Sequence, residues 1–450
     1  MILPNEFIKT MKSLLGEEYE SYVSSLSKEP KRGFRINNNY ISNDDFARGF
    51  KYKYSQIDGF DNLNNLLTDE KVGNSICHHL GLLYVQEPSS MLAVESLGVE
   101  EGDYVLDLCS APGGKASQIL DKNKTGIVVC NEVVRNRANI LFSNIERQGF
   151  KNAIITSLTP DKLADNFEGF FDKILVDAPC SGEGMFRKDN STISEWNDGL
   201  AEFNHQRQME ILHEADRMLK SGGVLVYSTC TFNLDENERT VYEFAKEYDY
   251  EVVALPKSVQ NKVAKGFEYN KEKSTTLCGR VFPHNDFGEG QFIAKLRKNN
   301  EKICINNTKK PKNNSISRNE AQIVSNFLKE NTTLVDYNLH KVGNNIYIYN
   351  KDISPIKNGI VCFGVDIGEI DKGRFVPHHM LYKAYGSNFK NKIEVSIDDE
   401  RVSLYIKGYE IDTANNNGYA CLLVDGVPLG GGKVVSNKLK NHYPKGLRQN

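Results

Sequence analysis

Val105-Leu-Asp-Leu-Cys-Ser-Ala-Pro-Gly-Gly-Lys-Ala-Ser-Gln-Ile-Leu120 is the stretch on which the fold turns. Residues 105–108 read as a short apolar strand interrupted by Asp107. Pro112, Gly113 and Gly114 make a turn, and Lys115 opens a helical pattern. A strand that breaks into a small-residue loop before a helix presents N–H groups to the polar part of a nucleotide-like ligand. The loop is not a P-loop, because Cys109 stands in place of that motif's first Gly and Ala116 in place of its Mg²⁺-binding hydroxyl. Nor is it the G-x-G-x-x-G turn. The next apolar run, Gly126-Ile-Val-Val-Cys130, leads into Asn131-Glu132. That lies about 20 residues beyond the glycines, where a doubly wound sheet carries the carboxylate that holds a ribose. Turn and acid together suit an adenosyl ligand.

Around this stretch, helix and strand alternate from about 89 to 300. A helix near 91–97 precedes the strand at 104–108, and a helix from about 115 leads to the strand at 126–130. A helix at about 134–148 and a strand near 153–156 follow. Lys173-Ile-Leu-Val-Asp-Ala-Pro-Cys180 is nearly continuous in apolar residues, as a parallel strand buried on both faces should be. A long helix over about 201–219 is expected to stop at Ser221-Gly222-Gly223. Val224-Leu-Val-Tyr-Ser-Thr-Cys230 reads as another buried strand, and residues 234–247 as helix. The fold class is therefore α/β, a doubly wound and mostly parallel sheet covered by helices, with ligands outside the carboxyl ends of the strands.

The flanks differ. Residues 1–88 read as a small N-terminal α/β extension, with two short amphipathic helices and an extended segment around Arg32-Gly-Phe-Arg35, whose two arginines read as a solvated basic edge, with a nucleic-acid contact as the alternative. His78-His79 has no second ligand pair at usable spacing, so a structural or substrate-facing role is expected and no metal site. Residues 299–319 are rich in Lys, Asn and Ser and read as a polar linker. Residues 320–450 carry a helix at 321–328 and strand-like runs at 345–349, 359–363, 401–406 and 420–424, a small α+β module. This organisation predicts that the part before the linker folds and binds its cofactor alone.

At 450 residues the chain has room for about three domains. A formal net charge of −3 does not announce a nucleic-acid binder, although a local basic patch is compatible with it. Nine scattered cysteines without C-x-x-C pairs argue against a disulfide framework and a zinc site, and fit a reduced, cytoplasmic setting. The N-terminus has no basic-then-apolar signal pattern, and no apolar run approaches a membrane span.

Two buried strands end in cysteine, at Asp177-Ala-Pro-Cys180 and Ser228-Thr-Cys230. Adjacent parallel strands would bring both thiols to the ligand end together. Thiolates are nucleophiles, and a pair of them suggests a covalent step with a second group to undo it.

Cys109-Ser-Ala-Pro-Gly-Gly-Lys115, Asp177-Ala-Pro-Cys-Ser-Gly-Glu-Gly184 and Ser228-Thr-Cys-Thr231 resemble the signatures of the Sun/Nop-type RNA cytosine-5 methyltransferases. Tyr84-Val-Gln-Glu-Pro-Ser89, Arg280-Val-Phe-Pro-His284 and Gly288-Glu-Gly-Gln-Phe292 resemble further segments of that family. The run from Gly426-Val-Pro-Leu-Gly430 through Lys433 to Leu439-Lys-Asn-His-Tyr-Pro-Lys-Gly-Leu-Arg448 is similar to the PUA-like RNA-binding module of its bacterial RsmF branch.

The resemblance implies a Rossmann-like methyltransferase domain over 89–298, RNA-binding regions over 1–88 and 320–450, and S-adenosyl-L-methionine as cofactor. The acceptor would be cytosine in structured RNA, ribosomal first and transfer RNA as the alternative. It implies Cys230 as the nucleophile that adds to cytosine C6, Cys180 as the residue that assists release, and Asp177 near cofactor and base, where a carboxyl can accept from the N4 amino group. Cys180 as nucleophile is the rival assignment, since in DNA cytosine methyltransferases a Pro-Cys supplies the attack. The backbone of Cys109, Ser110, Ala111, Pro112, Gly113, Gly114 and Lys115 would surround the methionine part, and Glu132 would bind the ribose. No metal is expected. After the third strand the family often has an Asp near the adenine, where this chain reads Thr156-Ser-Leu-Thr159, so the adenine contact stays unassigned. Lys433, Lys438, Lys440, Lys445 and Arg448 would form a basic face for RNA. A monomer is expected. The rival of another class is a catalytically silent RNA-binding assembly factor.

Overall fold

The computed structural model describes residues 2–68, 71–299, 316–351, 353, 356 and 358–449. The linker expected at 299–319 falls mostly outside the described residues. Five parallel strands form the centre of a ten-stranded sheet: β1 (Tyr104–Asp107), β2 (Ile127–Asn131), β3 (Ala153–Thr156), β4 (Phe171–Asp177) and β5 (Leu219–Thr229). Their order is β3-β2-β1-β4-β5, so the chain reverses direction across the sheet between β1 and β4. At that switch point the strand ends splay and leave a crevice. All five residues of β2 are buried, as a strand covered on both faces requires.

Beyond β5 the sheet continues antiparallel through β6 (Tyr250–Val253), β7 (Ala264–Lys265), β8 (Gly279–Val281) and β9 (Gln291–Lys298). Here β9 pairs with β5 from Phe292↔Thr229 to Arg297↔Val224. The covering helices are α1 (Pro88–Leu97), α2 (Gly114–Lys122), α3 (Arg135–Gln148), α4 (Pro160–Phe167), α5 (Leu200–Met218) and α6 (Thr240–Tyr248). Pro88 opens α1, whose first free N–H groups, those of Ser89 and Ser90, donate to the Glu87 carboxylate at 3.0 and 2.9 Å. The expected glycine stop of α5 is not used. The helix ends at Met218 because Gly169 and Phe170 N–H donate to the carbonyls of Arg217 and Met218, both at 2.9 Å, which leaves Ser221-Gly222-Gly223 inside the start of β5.

The N-terminal extension holds helices Asn5–Leu15 and Tyr19–Ser25 and an antiparallel sheet in the order Tyr54–Gln56, Leu63–Leu66, Gly33–Ile36, Leu83–Val85. Arg35 corrects the expectation of a solvated edge. Only 2% exposed, it donates to Gln86 at 2.8 Å, to the Gly114 carbonyl at 2.9 Å and to Ser117 at 2.6 Å. Burial lowers its pKa to about 10, so it remains a cation clamping the first turn of α2. Arg32 donates to the Thr68 carbonyl at 3.4 Å.

The chain beyond the linker forms α7 (Arg318–Asn331), a four-stranded antiparallel sheet of Leu339–Val342, Asn345–Ile348, Val365–Asp371 and Arg374–Pro377, and a five-stranded sheet over 392–441. Residues 401–406, expected as strand, are instead the helix α9 (Glu400–Ile406). Asp399 caps it by accepting from Arg401 N–H at 2.9 Å, and Val402, Tyr405 and Ile406 are buried at helical rather than alternating spacing.

This region is not a detached appendage. Its strand β10 (Ile360–Phe363) extends the large sheet antiparallel to β3, and one apolar core runs from β3 through Phe327, Leu328 and Met380. Lys383, on helix α8 (His379–Tyr385), is 1% exposed and donates to the carbonyls of Leu80 and Pro428, both at 2.6 Å, over the Tyr40 ring. It ties N- and C-terminal regions together. Desolvation, with Arg147 next, holds its pKa well below the usual lysine value. His79 Nδ1 meets the Tyr443 hydroxyl at 3.0 Å and the His78 carbonyl accepts from Arg147, so the His pair serves the same seam. Burial first and Arg147 second lower the two imidazoles to about 3 and about 4. Among the described residues no helix is long and apolar enough to cross a membrane.

Candidate active site

The loop after β1 is held open by its neighbours. Ser110 N–H donates to the Asn131 carbonyl at 2.8 Å, and its hydroxyl to the Asp107 carbonyl at 2.7 Å. Asn131 ties three strand exits. Its amide donates to the Leu158 carbonyl at 3.0 Å and its Oδ1 accepts from Thr156 at 2.8 Å and from Leu158 N–H at 3.1 Å. Gly113 has φ +112°, the left-handed region that glycine tolerates. A Cβ on Gly114 would lie 3.2 Å from the Tyr84 ring and 3.3 Å from Gln86. The loop therefore lies flat against the entry segment 84–86.

Two cavities meet at Cys109. The larger, about 930 Å³, reaches from Glu132 and Val133 past Thr159 to Arg207 on α5. The smaller, about 180 Å³, is bounded by Tyr84, Ser110, Ala111, Pro112, Gly114, Lys115 and Asp177. Glu132 is 3% exposed; it accepts from Val134 N–H at 2.9 Å and pairs with Arg137 at 3.1 Å. Lys115 Nζ sits 2.8 Å from Asp177, whose other oxygen accepts from Ser228 at 2.7 Å. Burial works to lower the Lys115 pKa, but the Asp177 carboxylate outweighs it and the ammonium is stabilised.

Asp107 is a functional candidate that the motifs did not single out. It is fully buried and neither oxygen has a hydrogen-bond partner among the described residues. Burial, then the charge of Asp177, raises it to about 7. Its signal was an acid inside an otherwise apolar strand. Desolvation also raises Cys109, beyond the ordinary thiol range.

The two strand-end cysteines come together. Cys180 Sγ lies 3.4 Å from Cys230 Sγ, and Cys230 N–H donates to Cys180 Sγ at 3.4 Å. The hydrogen bond to Cys230, then burial, holds Cys180 well above the usual thiol range, so it stays protonated. Their loops are stitched further. Gly184 N–H donates to the Cys230 carbonyl at 2.8 Å, and Glu183 accepts from Thr231 at 2.8 Å and from Phe232 N–H at 2.9 Å. Arg280, 1% exposed, pairs with Glu238 and donates to the Phe232 carbonyl at 2.9 Å, which places the late motif behind the Cys230 loop. Among the described residues no group of three His, Cys, Asp or Glu side chains could hold a metal ion.

The expected basic face is thinner than its sequence. Lys440 pairs with Glu410 at 2.6 Å, Lys438 lies 3.8 Å from Asp412, and Arg448 donates to the Tyr443 carbonyl at 3.2 Å. Lys433 and Lys445 are exposed.

The strand order that reverses between β1 and β4, with the glycine loop at the crevice it opens, is that of a Rossmann-like methyltransferase domain, a class that uses S-adenosyl-L-methionine. The donor set fits that cofactor, since the carboxyls of Asp107 and Glu132 suit a cationic ligand with hydroxyl groups. Residues 94–297 match the family described as 16S rRNA methyltransferase RsmB/F, residues 3–88 the N-terminal domain of RsmF, and residues 392–449 the RsmF PUA domain. The chain is 30% identical to ribosomal RNA small subunit methyltransferase F of Shewanella piezotolerans, covering 95% of this chain and 93% of that one. It is 28% identical to the protein of the same name from Vibrio campbellii over 99% and 97%. A methyltransferase homologue from Pyrococcus horikoshii, of known structure, shares 28% identity at a TM-score of 0.59, covering 66% of this chain and 95% of that one. The chain belongs to the ribosomal RNA small subunit methyltransferase F family.

Proposed function

We propose that the protein methylates C5 of a cytosine in small-subunit ribosomal RNA through a covalent adduct between Cys230 and cytosine C6. The observation that carries this reading is the pair of thiols 3.4 Å apart at the exits of β4 and β5, with Cys180 held protonated. The resemblance of Ser228-Thr-Cys-Thr231 assigns attack to Cys230 and assistance to Cys180, and a Cys180 that keeps its proton is a poor nucleophile and a proton source for its neighbour. Addition of the Cys230 sulfur to C6 pushes the C5–C6 electron pair onto the ring and makes C5 nucleophilic. The bound cofactor supplies the electrophilic methyl group. Transfer of the C5 proton to water then reforms the C5–C6 double bond and breaks the C6–S bond, and the Cys180 thiol beside the departing Cys230 sulfur stabilises it as it leaves. Asp177, anchored by Lys115 and Ser228, would accept from the cytosine N4 amino group. The target base must leave its stack to reach these groups.

The backbone of 109–115 would hold the methionine part and Glu132 the ribose. The region 1–88 and the C-terminal PUA region would position the RNA, and work on ribosomal RNA sets the protein in the cytoplasm. Methyl transfer from labelled cofactor to small-subunit ribosomal RNA tests the substrate. Label entering transfer RNA alone would overturn it, and label entering neither would favour a silent assembly factor.

Glu132→Ala is expected to weaken binding of S-adenosylhomocysteine. Hydrogen bonds to a charged group contribute about 1.5–3 kcal/mol, or roughly ten- to a hundredfold in dissociation constant. Titration calorimetry reads the change, with an unshifted melting temperature as the control for folding. An unchanged constant removes Glu132 from the site.

A further inference from the structure

Behind the two cysteine loops, two buried carboxyls are joined through two hydroxyls. Glu236 Oε1 contacts the Ser181 hydroxyl, Ser181 Oγ lies 2.7 Å from Thr231 Oγ1, and Thr231 Oγ1 lies 2.8 Å from Glu183 Oε2. Ser181 follows Cys180 and Thr231 follows Cys230. Glu236 is fully buried, Thr231 1%, Glu183 2% and Ser181 6% exposed.

Counting hydrogens decides the protonation state. Three oxygen–oxygen contacts need three hydrogens, and the two hydroxyls supply two. With both carboxyls ionised, one contact would set lone pair against lone pair inside a dry interior, where unpaired polar groups are costly. The third hydrogen must sit on a carboxyl.

Glu183 is the poorer seat. Burial raises its pKa too, but its chain oxygen already accepts from Phe232 N–H at 2.9 Å, its other oxygen accepts from Trp196 Nε1 at 3.0 Å, and these donors with Arg280 favour its charge. At Glu236 both N–H donors, Ser181 at 2.9 Å and Gln208 at 3.1 Å, go to Oε2, which leaves Oε1 facing Ser181 alone.

We infer that Glu236 carries a proton on Oε1 and donates it to Ser181, so that one directed chain, Glu236 to Ser181 to Thr231 to Glu183, locks the Cys180 and Cys230 loops in register. Glu236 is thus a positioning residue. Burial first, with Glu183 adding to it, raises its pKa to about 7. The other groups facing it are the Cys180 thiol and Tyr227, whose hydroxyl donates to the Glu236 carbonyl at 2.6 Å; Arg280, Glu238 and Tyr22 flank the Glu183 end.

The sign follows from linkage. A carboxyl raised on folding contributes stability that is complete below its unfolded value, near 4.5, and lost as pH rises through about 7. Glu236→Gln places an amide N–H where the acid O–H was and does not titrate. Its melting temperature relative to wild type is expected to climb by several degrees between about pH 5 and about pH 8. The infrared difference between wild type and Glu236→Gln at about pH 5.5, below the Glu236 pKa, should show one carboxylic-acid carbonyl band, since the acids Asp107 and Glu146, raised to about 7 and about 8, cancel in the subtraction. No such band, or parallel melting curves across the pH range, would overturn the inference. Neither readout depends on turnover, so a failed methylation assay and a failed proton assignment are separable results.

Discussion

Protein carrying Cys180→Ala, incubated with RNA and S-adenosylmethionine, is expected to run as a slow-migrating band on a denaturing gel, and Cys230→Ala protein is not. Cys230→Ala has no sulfur to add to C6, so adduct and turnover vanish together. Cys180→Ala can still attack and transfer the methyl group, but the departing Cys230 sulfur has lost the protonated neighbour that sits 3.4 Å away. General acid–base assistance is typically worth about 10²–10⁴-fold, and the release step should slow by that order. Because release then limits the cycle, the methylated adduct accumulates. The reverse pattern would hand the attack to Cys180. No band from either variant would leave the covalent route without support.

The second large effect concerns folding. Removing everything beyond residue 299 should not leave a stable methyltransferase, contrary to the reading of the polar segment as a simple linker. Strand β3 would lose β10 as its edge partner, including the bonds from Gly364 N–H to the Ala153 carbonyl at 2.9 Å and from Ser157 N–H to the Gly359 carbonyl at 2.7 Å. The shared core would lose Phe327, Leu328, Phe363, Met380 and Leu381, all buried. At about 1.5–3 kcal/mol for each apolar side chain, the loss is of order 10 kcal/mol, comparable with the whole stability of a domain. Calorimetry of residues 1–299 should show no cooperative transition, and titration should show no binding of S-adenosylhomocysteine. A cooperative melt with cofactor binding equal to the full chain would show that the N-terminal part folds independently.

The central sheet was legible because its signals are local. Each parallel strand is a short apolar run, and the runs ending at Asp107, Asn131 and Asp177 carry their polar residues at the carboxyl end, where the switch point gathers them. The meeting of Cys180 and Cys230 followed from strand adjacency alone. What was not legible depends on partners distant in sequence. Arg35 reads as a surface cation until Gln86, Gly114 and Ser117 surround it. Residues 360–363 read as one more strand of a C-terminal module, and nothing in four residues says that they pair with β3. Lys438 and Lys440 form a basic run in sequence but face acids across the fold. The Glu236–Ser181–Thr231–Glu183 chain joins residues about 50 positions apart, and its proton count needs oxygen positions.

Methylation at cytosine C5 must release the hydrogen that C5 carries, so tritium at that position reports the reaction. Small-subunit ribosomal RNA transcribed with cytidine tritiated at C5 is incubated with the protein and S-adenosylmethionine carrying a carbon-labelled methyl group. One tritium is expected in water for each methyl group fixed in RNA, with both lost in Cys230→Ala. Methyl incorporation without tritium release would place the modification on another atom and contradict the covalent cytosine-5 mechanism.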